Sequence, residues 1–237
     1  MLNLKKAVAL AIIASFLASI PLTLATGNQL VSATYTIEVE EYYARPPSTP
    51  GGGGKGGSGY TLTGYHWDTQ PVTIYVNPTG SSLSGNLVVS TISDSAETWD
   101  DATSIELVST SAQADNSATL DGSSPDSKNE VVFGNLGNSR IIAQCTYWYY
   151  LGSKHLVDFD IIFNTQFGWG DASVDSSKMD LQNIATHELG HGFGLGDLYQ
   201  AKWSALTMYG YGNEGETSKR TLESGDIAGI QALYGAA

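Results

Sequence analysis

The chain has 237 residues, 41% of them hydrophobic, which is enough for one folded domain with appendages and a sizeable core. Its 24 acidic residues outweigh 11 lysines and arginines, and the formal net charge of −13 excludes the basic footprint of a nucleic-acid-binding protein. Cys145 is the single cysteine, so an internal disulfide and a cysteine-based zinc module are both excluded.

The first 25 residues read as a signal peptide. Lys5 and Lys6 supply a basic start, Ala7 to Ile20 is apolar and uncharged, and the small residue Ala25 suits a cut. An uncleaved membrane anchor is the rival, but a span needs about 20 apolar residues. Residues 26–59 form a short N-terminal segment and a linker. "ATYTIEVEEYY" has some strand-like alternation, and "PPSTPGGGGKGGSG" cannot bury enough surface to fold.

Residues 60–237 carry the pattern of a folded domain. "PVTIYVN" predicts a strand, and Leu87, Ile92, Ala96 and Trp99 predict the buried face of a helix. "NEVVFGN", "RIIAQCTYWYY" and "HLVDFDIIFNT" predict further strands. "MDLQNIATHELGH" predicts a helix capped by Ser177 or Asp180, and "SGDIAGIQALYG" a closing helix with Asp226 near its positive end. The fold class expected is α+β, a mixed twisted sheet with an active-site helix and a C-terminal helix.

The chemistry is concentrated in "ATHELGHGFGLGDLY". His187 and His191 are four apart, so a helix places both imidazoles on one face, ready to chelate a metal. Glu188 lies beside the first histidine, where it reaches a water at an open zinc position as general base. Gly192, Gly194 and Gly196 must end the helix, and Gly194 suits the left-handed turn that reverses the chain. Catalytic zinc usually takes three protein ligands and a water. No histidine follows His191, so a downstream third ligand must be a carboxylate; Asp197 is the nearest, with Glu214 as the runner-up.

The run His187-Glu188-x-x-His191-x-x-Gly194-x-x-Asp197 resembles the metzincin zinc motif, with Asp where that motif usually has a third His. "SALTMYGYG" resembles the Met-turn, which implies a structural role for Met208 beneath the metal. From about Tyr60 to Gly235 the chain resembles a matrixin catalytic domain. "GYHWDTQPVTIYVN" is similar to its first strand, "SAETWDDAT" to its first helix, "DFDIIFNTQFGW" to the strand before the active-site helix, and "LESGDIAGIQALYG" to its closing helix. The cysteine switch of matrixins has no counterpart, because no cysteine precedes the domain.

The expectation is a secreted, monomeric zinc endopeptidase, extracellular or at the cell surface, with one catalytic zinc on His187, His191 and Asp197 and with Glu188 as base. Its partners are polypeptides, not nucleic acid, and a membrane enters only through an uncleaved N-terminal anchor. A calcium ion is compatible with the resemblance, but no ligand set for it is legible. His155 near Asp158 and Asp160 is a weaker candidate for a second metal site. A non-catalytic protein with structural zinc would need four protein ligands where three are found. An extended substrate is expected to add a strand to an edge formed by "IIAQCTYWYYL".

Overall fold

The structure is a computed structural model that describes residues 21–26, 29–45, 59–109, 111–150 and 152–237. The apolar run Ala7 to Ile20 and most of the Pro/Gly segment therefore lie outside the described residues.

The strands are β1 (Pro21–Thr26), β2 (Gln29–Ala44), β3 (Thr61–Leu62), β4 (Ile74–Val76), β5 (Gln113–Ala114), β6 (Asn129–Gly134), β7 (Ile141–Tyr150), β8 (Leu156–Asn164), β9 (Trp169–Gly170), β10 (Met179–Asp180), β11 (Leu195–Gly196) and β12 (Tyr211–Gly212). The helices are α1 (Gly85–Asp100), α2 (Leu181–Gly192) and α3 (Ser224–Tyr234). The main sheet runs β1-β2-β7-β8-β6-β4-β5, with β12 pairing on β2. From β8 through β6 and β4 to β5 the pairing is parallel; β7 is antiparallel to both β8 and β2. This is the mixed sheet of an α+β domain.

Side chains alternate across the sheet. Ala143, Cys145 and Tyr147 of β7 and Phe159, Ile161 and Phe163 of β8 enter the hydrophobic core. The adjacent positions Glu130, Asp158 and Asp160 point the other way and are nevertheless buried. The loop after β5 covers them: the Asp121 N–H donates to Asp160 and the Ser127 N–H to Asp158.

Helix α1 buries Val88, Ile92, Ser95, Ala96 and Trp99, while Leu87 is 49% exposed. The inward residue is thus Val88, one turn before Ile92, and the predicted Leu87 lies off that stripe. Helix α2 begins at Leu181, and Asp180 is its cap, accepting from the Asn183 N–H at 2.9 Å. Met179, expected inside the helix, belongs to β10. "PVTIYVN" shortens to β4, with Val72 held in a separate bridge to Val108.

One expectation is overturned. β7 is not a free edge, because β2 pairs with it antiparallel from Tyr35↔Tyr150 to Tyr43↔Ile141. Alternation in "ATYTIEVEEYY" was legible in the sequence; its partner, roughly a hundred residues away, was not.

Candidate metal centre

Helix α2 presents His187 and His191 one turn apart, both fully buried. Their Nε2 atoms lie 3.1 Å from each other. The helix ends at Phe193, and Gly194 turns the chain with φ +100°. A Cβ at residue 194 would stand 2.2 Å from the Tyr65 carbonyl oxygen, so only glycine fits this turn. β11 then returns the chain to Asp197. One oxygen of Asp197, Oδ1, lies 3.4 Å from His187 Nε2 and 3.7 Å from His191 Nε2.

Each of these side chains is held from behind. His187 Nδ1 is 2.7 Å from the Thr207 carbonyl oxygen, and His191 Nδ1 is 2.9 Å from that of Leu195. A carbonyl only accepts, so both rings carry their proton on Nδ1 and direct a bare Nε2 at the shared space. The Tyr199 hydroxyl donates to Asp197 Oδ2 at 2.6 Å, leaving Oδ1 buried with no hydrogen-bond partner among the described residues. Burial pushes the pKa of His191 down to about 4, which keeps the ring in its neutral, ligating form. Burial opposes the charge of Asp197, but the neighbouring His187 and His191 rings and the hydrogen bond from Tyr199 outweigh it and hold its pKa below the ordinary range.

Two bare ring nitrogens and a bare carboxylate oxygen facing one another repel unless a cation lies between them. Tetrahedral zinc with ligands at about 2.0–2.1 Å spaces those ligands about 3.3 Å apart, close to the three separations observed. The residues therefore fit a zinc ion. Among the described residues Glu214, the alternative ligand, is exposed and outside this group.

Glu188 is fully buried next to the trio, and among the described residues neither of its oxygens has a hydrogen-bond partner. Burial, then Asp197 and Glu40, push its pKa well above the usual carboxylate range. Under helix α2, Met208 packs so closely that a Cβ on Gly190 would be 2.3 Å from its Sδ. Met208 is 1% exposed, consistent with a structural part beneath the site.

Sequence reasoning missed Tyr199 and Thr207. Tyr199 sits two residues past Asp197, an offset that could have suggested the contact. Thr207 acts through its backbone, which leaves no signature in side-chain identity. His155 does not join Asp158 and Asp160. It lies with His66 and Asp68 in a separate group that could hold a metal ion, its Nδ1 3.6 Å from Asp68 Oδ2.

The groove over the trio is filled by the chain itself. β2 lies between β7 and β12, and the ring of Tyr42 stacks on His187 with centroids 4.0 Å apart. Burial first, then Asp197 and Glu38, push the pKa of Glu40 up to about 8.

A mixed sheet, a helix bearing paired histidines, a returning carboxylate and a buried, unpartnered glutamate are together the parts of a hydrolytic metallopeptidase. The matrixin family model matches residues 66–235, and the chain belongs to that family of zinc metalloendopeptidases. Human matrix metalloproteinase-25 is 34% identical over 84 residues, which cover 35% of this chain and 15% of that protein. Its mouse counterpart is 33% identical over 82 residues, covering 35% of this chain and 13% of that protein. The matched stretch is thus a small part of each relative's length.

Proposed function

We propose that the protein is a secreted zinc endopeptidase that hydrolyses peptide bonds with Glu188 as general base and His187, His191 and Asp197 as the metal ligands. The observation that carries this reading is the pairing of an apposed, bare His–His–Asp trio with a buried glutamate whose two oxygens have no hydrogen-bond partner among the described residues. Zinc, when bound, supplies a Lewis acid that acidifies water and polarises a carbonyl.

The chain's own residues do the rest. Thr207 and Leu195 fix the imidazoles through their carbonyls, and Tyr199 fixes the carboxylate. Glu188 accepts a proton from the attacking water and passes it to the leaving amine nitrogen. A polypeptide substrate would pair extended along β7 only once β2 has left that edge.

Secretion rests on the basic start, the apolar run and Ala25. A cut near Ala25 would fall within β1 and leave β2 in place.

The test is metal analysis of the purified protein alongside digestion of a random peptide library, with N-terminal sequencing of the secreted form. One equivalent of zinc, internal peptide cleavage and a start near Thr26 are expected. A protein that binds zinc yet cuts no peptide would be structural; an intact Met1 on membrane-bound protein would favour the anchor.

A further inference from the structure

Tyr42 is the most enclosed described residue of β2, at 0% exposure. One face of its ring stacks on His187 at an interplanar angle of 28°. Beyond the ring, its hydroxyl meets the ammonium of Lys219 at 2.8 Å. Lys219 is itself fully buried, and its other partners are the Tyr211 carbonyl oxygen at 2.8 Å and Glu216 Oε1 at 2.9 Å. An ammonium has three protons, and here each has an acceptor. The wall of the cavity is glycine at residue 212, where a Cβ would stand 2.7 Å from the Tyr42 hydroxyl. The cavity is therefore shaped to the full length of a phenol, with a cation at its foot.

The strand that delivers this ring runs as an added strand would. Its N–H groups alternate between the two walls: Tyr43 to Gly210, Ala44 to Arg140, Arg45 to Gly212. The irregularity near Tyr42 skips Ile142 of β7 and inserts nothing into β2, so the alternation continues back through Tyr42. By that alternation the Glu41 carbonyl turns away from β7, towards the side of the trio.

We propose that Lys219, at the foot of the cavity holding Tyr42, selects tyrosine for that cavity, and that β2 lies in the groove as the chain's own tyrosine-bearing occupant. The proposal rests on the reading of the site given above, and it names the substrate class: extended polypeptides with a tyrosine just after the scissile bond. Phenylalanine would fill the same space but leave one proton of a buried ammonium without an acceptor. A site built to bond a substrate hydroxyl discriminates strongly against the analogue that lacks it. Other chains enter only when β2 gives way. If β2 is itself cut, water adds to the Glu41 carbonyl carbon, the bond to the Tyr42 nitrogen breaks, and that nitrogen takes up the proton.

The test uses the full chain carrying Glu188→Gln, to prevent turnover, and Tyr42→Ala, to vacate the cavity. Two labelled peptides with the sequence of residues 38–45 are titrated by fluorescence anisotropy, one with the native Tyr42 and one carrying Tyr42→Phe. The tyrosine peptide is expected to bind about 10–100-fold more tightly, the worth of one hydrogen bond to a buried charge. Lys219→Met should erase the difference, and restoring Tyr42 should weaken both peptides. Equal binding of the two peptides, or binding of neither, overturns the proposal; the peptide pair decides even if Lys219→Met fails to fold. The zinc-loaded chain with Glu188 intact separates the two readings. Selective binding without hydrolysis removes the protease and keeps the pocket, whereas hydrolysis of both peptides at equal efficiency removes the pocket and keeps the protease.

Discussion

His187 and Asp226 are linked through a single residue: the Thr207 carbonyl oxygen lies 2.7 Å from His187 Nδ1, and the Thr207 N–H donates to Asp226 Oδ2 at 2.9 Å. The other oxygen of Asp226 accepts from the Met208 N–H at 3.1 Å, and Asp226 also closes a capping box at the start of α3. The closing helix thus sets the position of the loop that orients His187, a proposed metal ligand. Replacing Asp226 with Ala should leave every ligand in place and still weaken zinc binding by about 10–100-fold, the usual cost of losing a group that orients a ligand. Competition with a chelator measures it. Unchanged affinity would show that Thr207 holds His187 without this support.

Gly190 should not tolerate even one methyl group. Its Cβ would sit 2.3 Å from Met208 Sδ and 2.9 Å from Trp99 Cζ2. Forced overpacking of this kind costs about 1–3 kcal/mol. Thermal unfolding of Gly190→Ala should show that loss, and Met208→Ala in the same chain should recover part of it. Additive losses in the double variant would mean that the two positions do not share this space.

The carboxylates under the sheet predict a pH dependence of stability. Burial raises the pKa of Asp158 to about 9 and that of Asp160 to about 8, and it also raises that of Glu130. One oxygen of each is buried with no hydrogen-bond partner among the described residues. In the unfolded chain such groups titrate near about 4. A folded pKa above the unfolded one gives stability that is complete below about 4 and is lost as pH rises through the folded values. Chelator-treated protein should therefore become less stable from about pH 4 to beyond neutrality. Asp158→Asn with Asp160→Asn should flatten that slope. A flat profile in the parent protein would contradict the assignment.

Asp197→Ala removes a proposed ligand, whereas Glu214→Ala removes an exposed side chain. The first should lower zinc retention after dialysis by more than the roughly 10–100-fold expected for Asp226→Ala, and the second should leave it unchanged. Asp197→His should restore part of the affinity. The longer ring must enter a turn in which Gly210 already has no room for a Cβ, 2.8 Å from Asp197 Cγ. The reverse ranking of the two alanine variants would move the third ligand to Glu214.

The parts of the site that were legible in the sequence are local ones. A four-residue spacing puts His187 and His191 on one face because a helix has 3.6 residues per turn, and Gly194 turns the chain because glycine adopts positive φ readily. The supports of the site depend on contacts between distant segments, and a side-chain pattern does not record which carbonyl will face which ring. The pairing of β2 with β7 was hidden for the same reason: alternation marks a strand and leaves its partner open. Asp158 and Asp160 alternate with apolar neighbours, and the sequence does not record that a loop from before β6 covers them.

The central claim is that Glu188 moves the proton at a centre held by His187, His191 and Asp197. The most direct measurement compares zinc content and peptide turnover in Glu188→Gln and the parent protein. The substitution keeps size and leaves all three ligands, so zinc content and unfolding temperature should be unchanged while turnover falls by about 10²–10⁴. Turnover near that of the parent, at full zinc content, would contradict the account.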